Sequence, residues 1–476
     1  MSDATRTTEQ HDQPELKRVM GPKLLLLFII GDILGTGVYA LTGQVAAEVG
    51  GAAWVPFLVA FAVALVTACS YLELVTKYPQ AAGAALYVHK AFAIHFFTFI
   101  VAFAVMSSGI TSASTASQAF AANLALVFGI DASKTLIMVI ALAFMALIMA
   151  INFRGASESV KTNVVLTLIE LSGLLLVILV GFYAIGGGNA DWGRVVAFET
   201  PDNKNVFLAV TTATSLAFFA MVGFEDSVNM AEETKDPSRI FPKIMLTGLG
   251  VTAVIYVLVS ICAVAIVPVG ELADSATPLT LVVERGAPGI PVDTLLPIIS
   301  MFAVANSALI NMMMASRLLY GMSKQAVLPP FLGKVHPKTR TPYAAIIFTT
   351  VIAFALIAYV SYASVDTIAL LGGTTALLLL AVFAVVNVAV LVLRKDHVEH
   401  DHFVTPTALP IIGAIACAYL VTPLSGRAGQ QYQVAGLLLA LGIILWAITW
   451  FANRALRPRP TRFQDPESLD THGPLN

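Results

Sequence analysis

The chain has 476 residues, 58% of them hydrophobic and 12% charged, and a mean hydropathy of +0.83, which excludes a water-soluble fold because so much apolar surface could not be hidden from water. A net charge of -2 leaves no basic excess for nucleic acid, so none is expected as a partner. The composition predicts an all-α integral membrane protein whose solvent is the lipid bilayer.

Residues 1–20 form a polar N-terminal tail, and the apolar run after them is long and lacks a small-residue cleavage pattern, so a retained first span is expected rather than a signal peptide. At about 20 residues per crossing, the chain reads as twelve spans, at 24–48, 52–76, 95–127, 135–152, 162–185, 206–232, 242–268, 293–322, 342–361, 365–393, 407–424 and 433–453. Cys69, Cys262 and Cys417 each fall inside an apolar run, which suits small buried hydrophobes better than a disulfide framework or a thiolate metal site. Residues 456–476 form a second polar tail.

Basic residues favour cytoplasmic loops. With the N-terminus inside, only Lys134, Arg194, Lys204, Arg285 and Arg427 of the 27 Lys and Arg fall outside, and none is left in mid-membrane. Both tails are therefore expected in the cytoplasm, with the protein in the plasma membrane. Spans one to five (21–185) and six to ten (206–394) then run in opposite senses, as two inverted repeats, and 395–455 adds spans eleven and twelve.

Each half opens on an anomaly. Span one carries Gly35, Thr36 and Gly37 at its middle, and span six carries "AMVGFED" (220–226), with Gly223 followed by two acids. Glycine costs about 1 kcal/mol in a helix interior and an unpaired amide in lipid costs several more, so a broken helix survives where it lines a cavity or a substrate. Paired breaks in corresponding positions mark a midplane transport site. The amides that restart span one near Val38 and Tyr39 suit a carboxylate. The carbonyls freed near Met221 suit an ammonium, and together the two breaks would hold an α-amino acid. Gly31 and Gly35 alone, at four-residue spacing, would equally allow two helices to pack closely.

These blocks, with "SYLELVTKYPQAAGAALYV" (70–88), "AFFAMVGFEDSVNMAEETKDPSRIFP" (217–242) and "YGMSKQAVLPPFLGKVHPKTRTP" (320–342), resemble the amino acid-polyamine-organocation superfamily, nearest its cationic amino acid transporter branch. The resemblance runs in order from about 20 to 455 and implies the leucine-transporter-type fold: five plus five inverted helices with helices 1 and 6 discontinuous, then two extra helices. It places the substrate carboxylate on Gly35, Thr36 and Gly37, an aromatic lid on Phe219, and the unwound stretch on Ala220, Met221 and Gly223, with Glu225 just after it. Where some proton-coupled members carry a lysine in span five, this chain has Glu170, so the lysine mechanism does not transfer.

Glu170 lies about nine residues into its span, roughly 13 Å along the helix, with no basic residue in any span to pair with it. It could bind and release a proton during transport, or stay protonated and bond to a neighbouring helix, or lie at a shallower helix end. Glu225 could respond to pH or balance a cationic side chain, while Asp226 and Glu225 could equally cap a half-helix. Asp32 is expected to bond backbone near the inner gate, and Glu73 to act at the inner gate or headgroup level. "HVEHDH" (397–402) lacks a helical frame for a metal, "GGGN" (186–189) lacks the lysine of a phosphate loop, and 232–242 reads as a charged inner loop. No catalytic residue, metal site or cofactor is expected, and an enzyme is disfavoured.

The function expected is secondary transport of an amino acid, cationic (arginine, ornithine or lysine), coupled to protons or to a counter-substrate. The alternatives are a neutral amino acid or polyamine permease, or an amino acid sensor or channel on the same scaffold. A sensor would normally need a long cytoplasmic domain, and both tails are short.

Overall fold

The structure is a computed structural model that describes residues 20–79, 83–130, 133–154, 159–201, 204–231, 234–288, 294–339, 341–364 and 366–456. Six helices come first: α1 (Pro22–Val49), α2 (Trp54–Lys77), α3 (Gly83–Phe92), α4 (His95–Val127), α5 (Lys134–Arg154) and α6 (Ser159–Gly186). A single turn, α7 (Trp192–Val195), precedes α8 (Val206–Ala217), α9 (Pro237–Ile266), α10 (Val269–Asp274) and α11 (Pro278–Gly286). The chain then forms α12 (Leu295–Lys324), α13 (Tyr343–Ala363), α14 (Thr367–Leu393), α15 (Ala408–Val421) and α16 (Gly429–Leu456). Among the described residues there is no strand, only two isolated bridges.

Local chemistry sets the ends. Pro22, Pro237 and Pro278 open their helices at the first turn, where a missing N–H costs nothing, and Asn205 and Asp366 cap α8 and α14 by accepting from Leu208 N (2.8 Å) and Ala369 N (3.0 Å). Inside the spans, many serine and threonine hydroxyls donate to the carbonyl a turn earlier, as with Thr42 on Val38 and Ser114 on Ile110. Apolar helices can thereby carry many polar side chains through the bundle, while Thr36, Ser107 and Thr214 keep buried hydroxyls without a partner.

Eleven described segments are long and apolar enough to cross a membrane, with Val206–Met230 counted as one composite segment. The eleventh expected span departs from its prediction: α15 has 14 residues, ending at Val421 before Pro423 turns the chain, instead of filling 407–424. Three shorter helices, α3, α10 and α11, were not anticipated. α3 follows the second span, and α10 and α11 follow the seventh, the matching place in the other half.

Packing displays the repeat. α1 and α2 pack with α8 and α9 as one group, and α4 and α5 pack with α12 and α13 as another. α6, the fifth span, touches both groups through α1, α9 and α12, and α14, the tenth, does so through α2, α8 and α4. Each half thus contributes a pair to each group and one helix that joins them: the five-plus-five arrangement. Buried apolar side chains run continuously through both groups.

Glu73, at the end of α2, is tied to other parts of the protein. It is 3% exposed and forms a two-pronged ion pair with Arg394, Nε to Oε1 and Nη2 to Oε2 both at 2.9 Å, and also accepts from Thr405 N at 2.8 Å. Lys77 adds a bond to Leu393 O at 2.7 Å. These contacts clasp the end of α2 to the end of α14 and to the segment leading into α15. Hydrogen bonding to Glu73 holds the Arg394 guanidinium above its ordinary pKa.

Candidate functional site

Helix α1 leaves helical geometry at one residue, Gly35 (φ -2°, ψ -152°), a narrower break than the expected 35–37. Span six breaks over a longer stretch. α8 ends at Ala217, a tight 3₁₀ turn covers Phe218–Met221, Gly223 adopts φ +123°, and a second 3₁₀ turn covers Asp226–Met230 in place of a second α-helical half. The two breaks touch. A methyl group on Gly37 would lie 2.7 Å from Ala220 Cβ, and one on Gly223 would lie 2.6 Å from Asp32 O, so only glycine lets the backbones approach this closely. Gly31 meets Thr167 of α6 just as tightly, so the alternative reading of span one as a packing surface also describes part of it.

A small cavity opens where the breaks meet. Gly35, Thr36 and Gly37 line it with Asp32 and Ile33 from α1, and Phe219, Val222, Gly223 and Asp226 line it from span six. Ser112 of α4 and Ser307 and Asn311 of α12 close the remaining side. A second small cavity shares Val222, Asp226 and Asn311 and adds Glu225, Ser108 and Thr375. Neither wall contains a lysine or arginine.

The expected site residues therefore separate. Gly35, Thr36, Gly37, Phe219 and Gly223 border the first cavity, whereas Ala220 and Met221 are buried behind its wall. Glu225 turns its Oε2 back to accept from Gly223 N at 2.8 Å, which stabilises the unwound turn, and borders only the second cavity. Asp32 corrects its expectation. It bonds no backbone group; its Oδ2 is buried without a hydrogen-bond partner, as is Thr36 Oγ1, and both residues lie on the first cavity's wall. Ser112, Ser307, Asn311 and Asp226 were missed as wall residues. The signal available was polar side chains in mid-span, in "SSGITSASTAS" (107–117) and at 306–311.

Glu170 stands apart from both cavities. It is fully buried on α6 with both carboxylate oxygens unpartnered, on the face that carries Asn163, Thr167 and Leu174. Tyr39 OH donates to Glu170 O at 2.8 Å, and Tyr256 OH donates to Ile33 O at 2.6 Å, so two tyrosines brace the backbone on either side of Gly35. The described part of "HVEHDH" holds no metal-capable cluster, nor does any other described region, and the three cysteines are unpaired, with Cys69 half-buried.

An inverted repeat whose first helices break against one another around a shared cavity is the architecture of a multi-pass membrane carrier. The family model described as amino acid permease matches residues 23–449, and the chain belongs to that family, within the amino acid-polyamine-organocation superfamily. Its members are permeases and not enzymes. The chain is similar to the branched-chain amino acid permease BcaP of Bacillus subtilis, at 27% identity over 91% of this chain and 93% of the relative. It is also similar to the methylthioribose transporter of that organism, at 28% over 88% and 90% of the two chains, and to the vacuolar cationic amino acid transporter 4 of Arabidopsis thaliana, at 27% over 84% and 66%.

Proposed function

We propose that the first cavity holds an amino acid by its α-carboxylate and α-ammonium groups between the two breaks, and that the protein carries it across the membrane by alternating access. Amides restarting α1 after Gly35 would receive the carboxylate, and carbonyls at the end of α8 the ammonium. A cationic side chain is favoured by one observation: the two adjoining cavities carry Asp32, Asp226 and Glu225 and no basic residue. A positive partner stabilises the charged form of a buried carboxylate, and arginine, ornithine or lysine would supply it. A neutral substrate is the second reading, supported by the apolar wall of Ile33, Phe219 and Val222 and by the name of the branched-chain relative.

Uptake of labelled arginine into proteoliposomes, competed by ornithine, leucine, alanine and putrescine at two pH values, tests the reading. Ornithine should compete and leucine should not. Asp32→Asn should raise the KM for arginine by about tenfold or more, the loss of one charge-assisted hydrogen bond. Competition by leucine without binding of arginine would discard the cationic assignment and keep the neutral one.

Glu170 is proposed to carry the coupling proton. What supports this is a carboxylate buried in a span with neither hydrogen bond nor cation to hold its charge. In Glu170→Gln, a pH gradient should no longer drive accumulation, while exchange of substrate for substrate persists. Undiminished proton-driven uptake in that variant would remove Glu170 from the cycle. The N- and C-terminal tails are proposed to face the cytoplasm across a plasma membrane, in line with the distribution of basic residues.

A further inference from the structure

Arg427 lies in the turn between α15 and α16, outside both repeats, and is 7% exposed. Its side chain donates to Leu420 O at 2.6 Å and to Gly373 O and Gln431 Oε1 at 2.9 Å each, with a longer contact of 3.5 Å to Ser215 O. All four partners are neutral. A guanidinium buried among neutral acceptors is costly to keep, and a plain turn could have been built without it.

The same turn is fastened along α8. Thr211 and Thr212 donate to Ser425 O at 3.3 and 3.1 Å, and Gly426, at φ +85°, approaches Thr212 so closely that a side chain there would overlap the hydroxyl. Gly373, held by Arg427 from α14, adjoins Gly372. A methyl group on Gly372 would lie 3.2 Å from Phe219 Cδ1 and 3.1 Å from Leu41 Cδ1. Phe219, Leu41 and Gly372 therefore meet at the edge of the first cavity, at the end of the half-helix that the turn grips.

We propose that Arg427 is a positioning residue for transport: by tying α8 to α14 it sets how tightly Phe219 closes the cavity against Leu41 and Gly372. The two helices beyond the repeats then act as a strap on a moving part. Its importance for turnover rests on the transport reading, but the closure itself does not, so the test needs no substrate.

The thiol introduced by L41C, in a C69A/C262A/C417A background, is labelled with N-ethylmaleimide in detergent. Losing a charged donor from this lock should raise the labelling rate roughly tenfold in R427Q, with R427K falling between. T212V, which removes one bond of the strap and keeps the side-chain shape, should move the rate in the same direction and serves if R427Q fails to fold. N387A, which breaks a buried network of Ser70 and Thr67 elsewhere on α14, is the control for general loosening. Faster labelling in R427Q or T212V but not in N387A establishes the strap. An unchanged rate overturns it, and so does an equal rise in N387A at matched thermal midpoint. A raised rate with no transport of any amino acid would count against the function and leave the strap standing.

Discussion

Valine in place of Gly37 is expected to lower the initial rate of amino acid uptake in proteoliposomes on the order of a hundredfold, equivalent to ~3 kcal/mol of misfit. The side chain would run into Ala220, whose Cβ and N would lie 2.7 and 2.9 Å from the first added carbon. Either span six is pushed away and the cavity changes shape, or the breaks cannot slide past one another. Gly223→Ala should behave similarly, since it adds both a contact of 2.6 Å with Asp32 O and a backbone angle of +123° that alanine resists. Gly436→Ala on α16 has open space around it and should transport normally. Wild-type rates in G37V, at equal protein level, would mean that the breaks do not bear on one another during the cycle.

The second large effect concerns the clasp between α2 and α14. Glu73→Ala leaves Arg394 half-buried with its carboxylate gone, and Thr405 N without its acceptor. Breaking one side of such a pair costs roughly 3 kcal/mol, which should appear as a lower thermal midpoint in detergent. Removing both charges together, in E73L with R394M, should recover most of the loss because no charge is then stranded. A double variant as unstable as E73A would show that packing at this end of α2, and not the ion pair, sets the stability. Transport in the double variant should survive, because neither residue borders either cavity.

Glycine placement made the breaks legible before any coordinates. Nothing but a bend or a close approach explains Gly35, Gly37 and Gly223 inside segments that must satisfy their own backbone. What the letters hide is the angle at which the helix resumes. Asp32 reads in the sequence as a backbone-bonding residue near the inner gate, and the kink together with the approach of Gly223 brings it to the wall instead. Ser112, Ser307 and Asn311 were obscured for a different reason: hydroxyls and amides in spans usually bond to their own helix, as Asn311 does to Ser307 O. Glu225 shows the converse, an acid that seemed wholly free for substrate and gives one of its oxygens to Gly223 N. The helices α3, α10 and α11 were missed because segments of 10, 6 and 9 residues carry too little periodic signal to separate from loops.

Helix α15 is short in a way that reaches beyond the protein. Its 14 residues rise about 21 Å against a hydrocarbon thickness of about 30 Å. A segment this short is accommodated by local thinning of the bilayer, by flanking side chains that reach to the interface or by association with other helices, and where the bilayer thins, shorter or more disordered lipids are favoured. A sterol-rich, thicker membrane would press hardest on that edge, and the composition of the host membrane becomes a variable of its working environment.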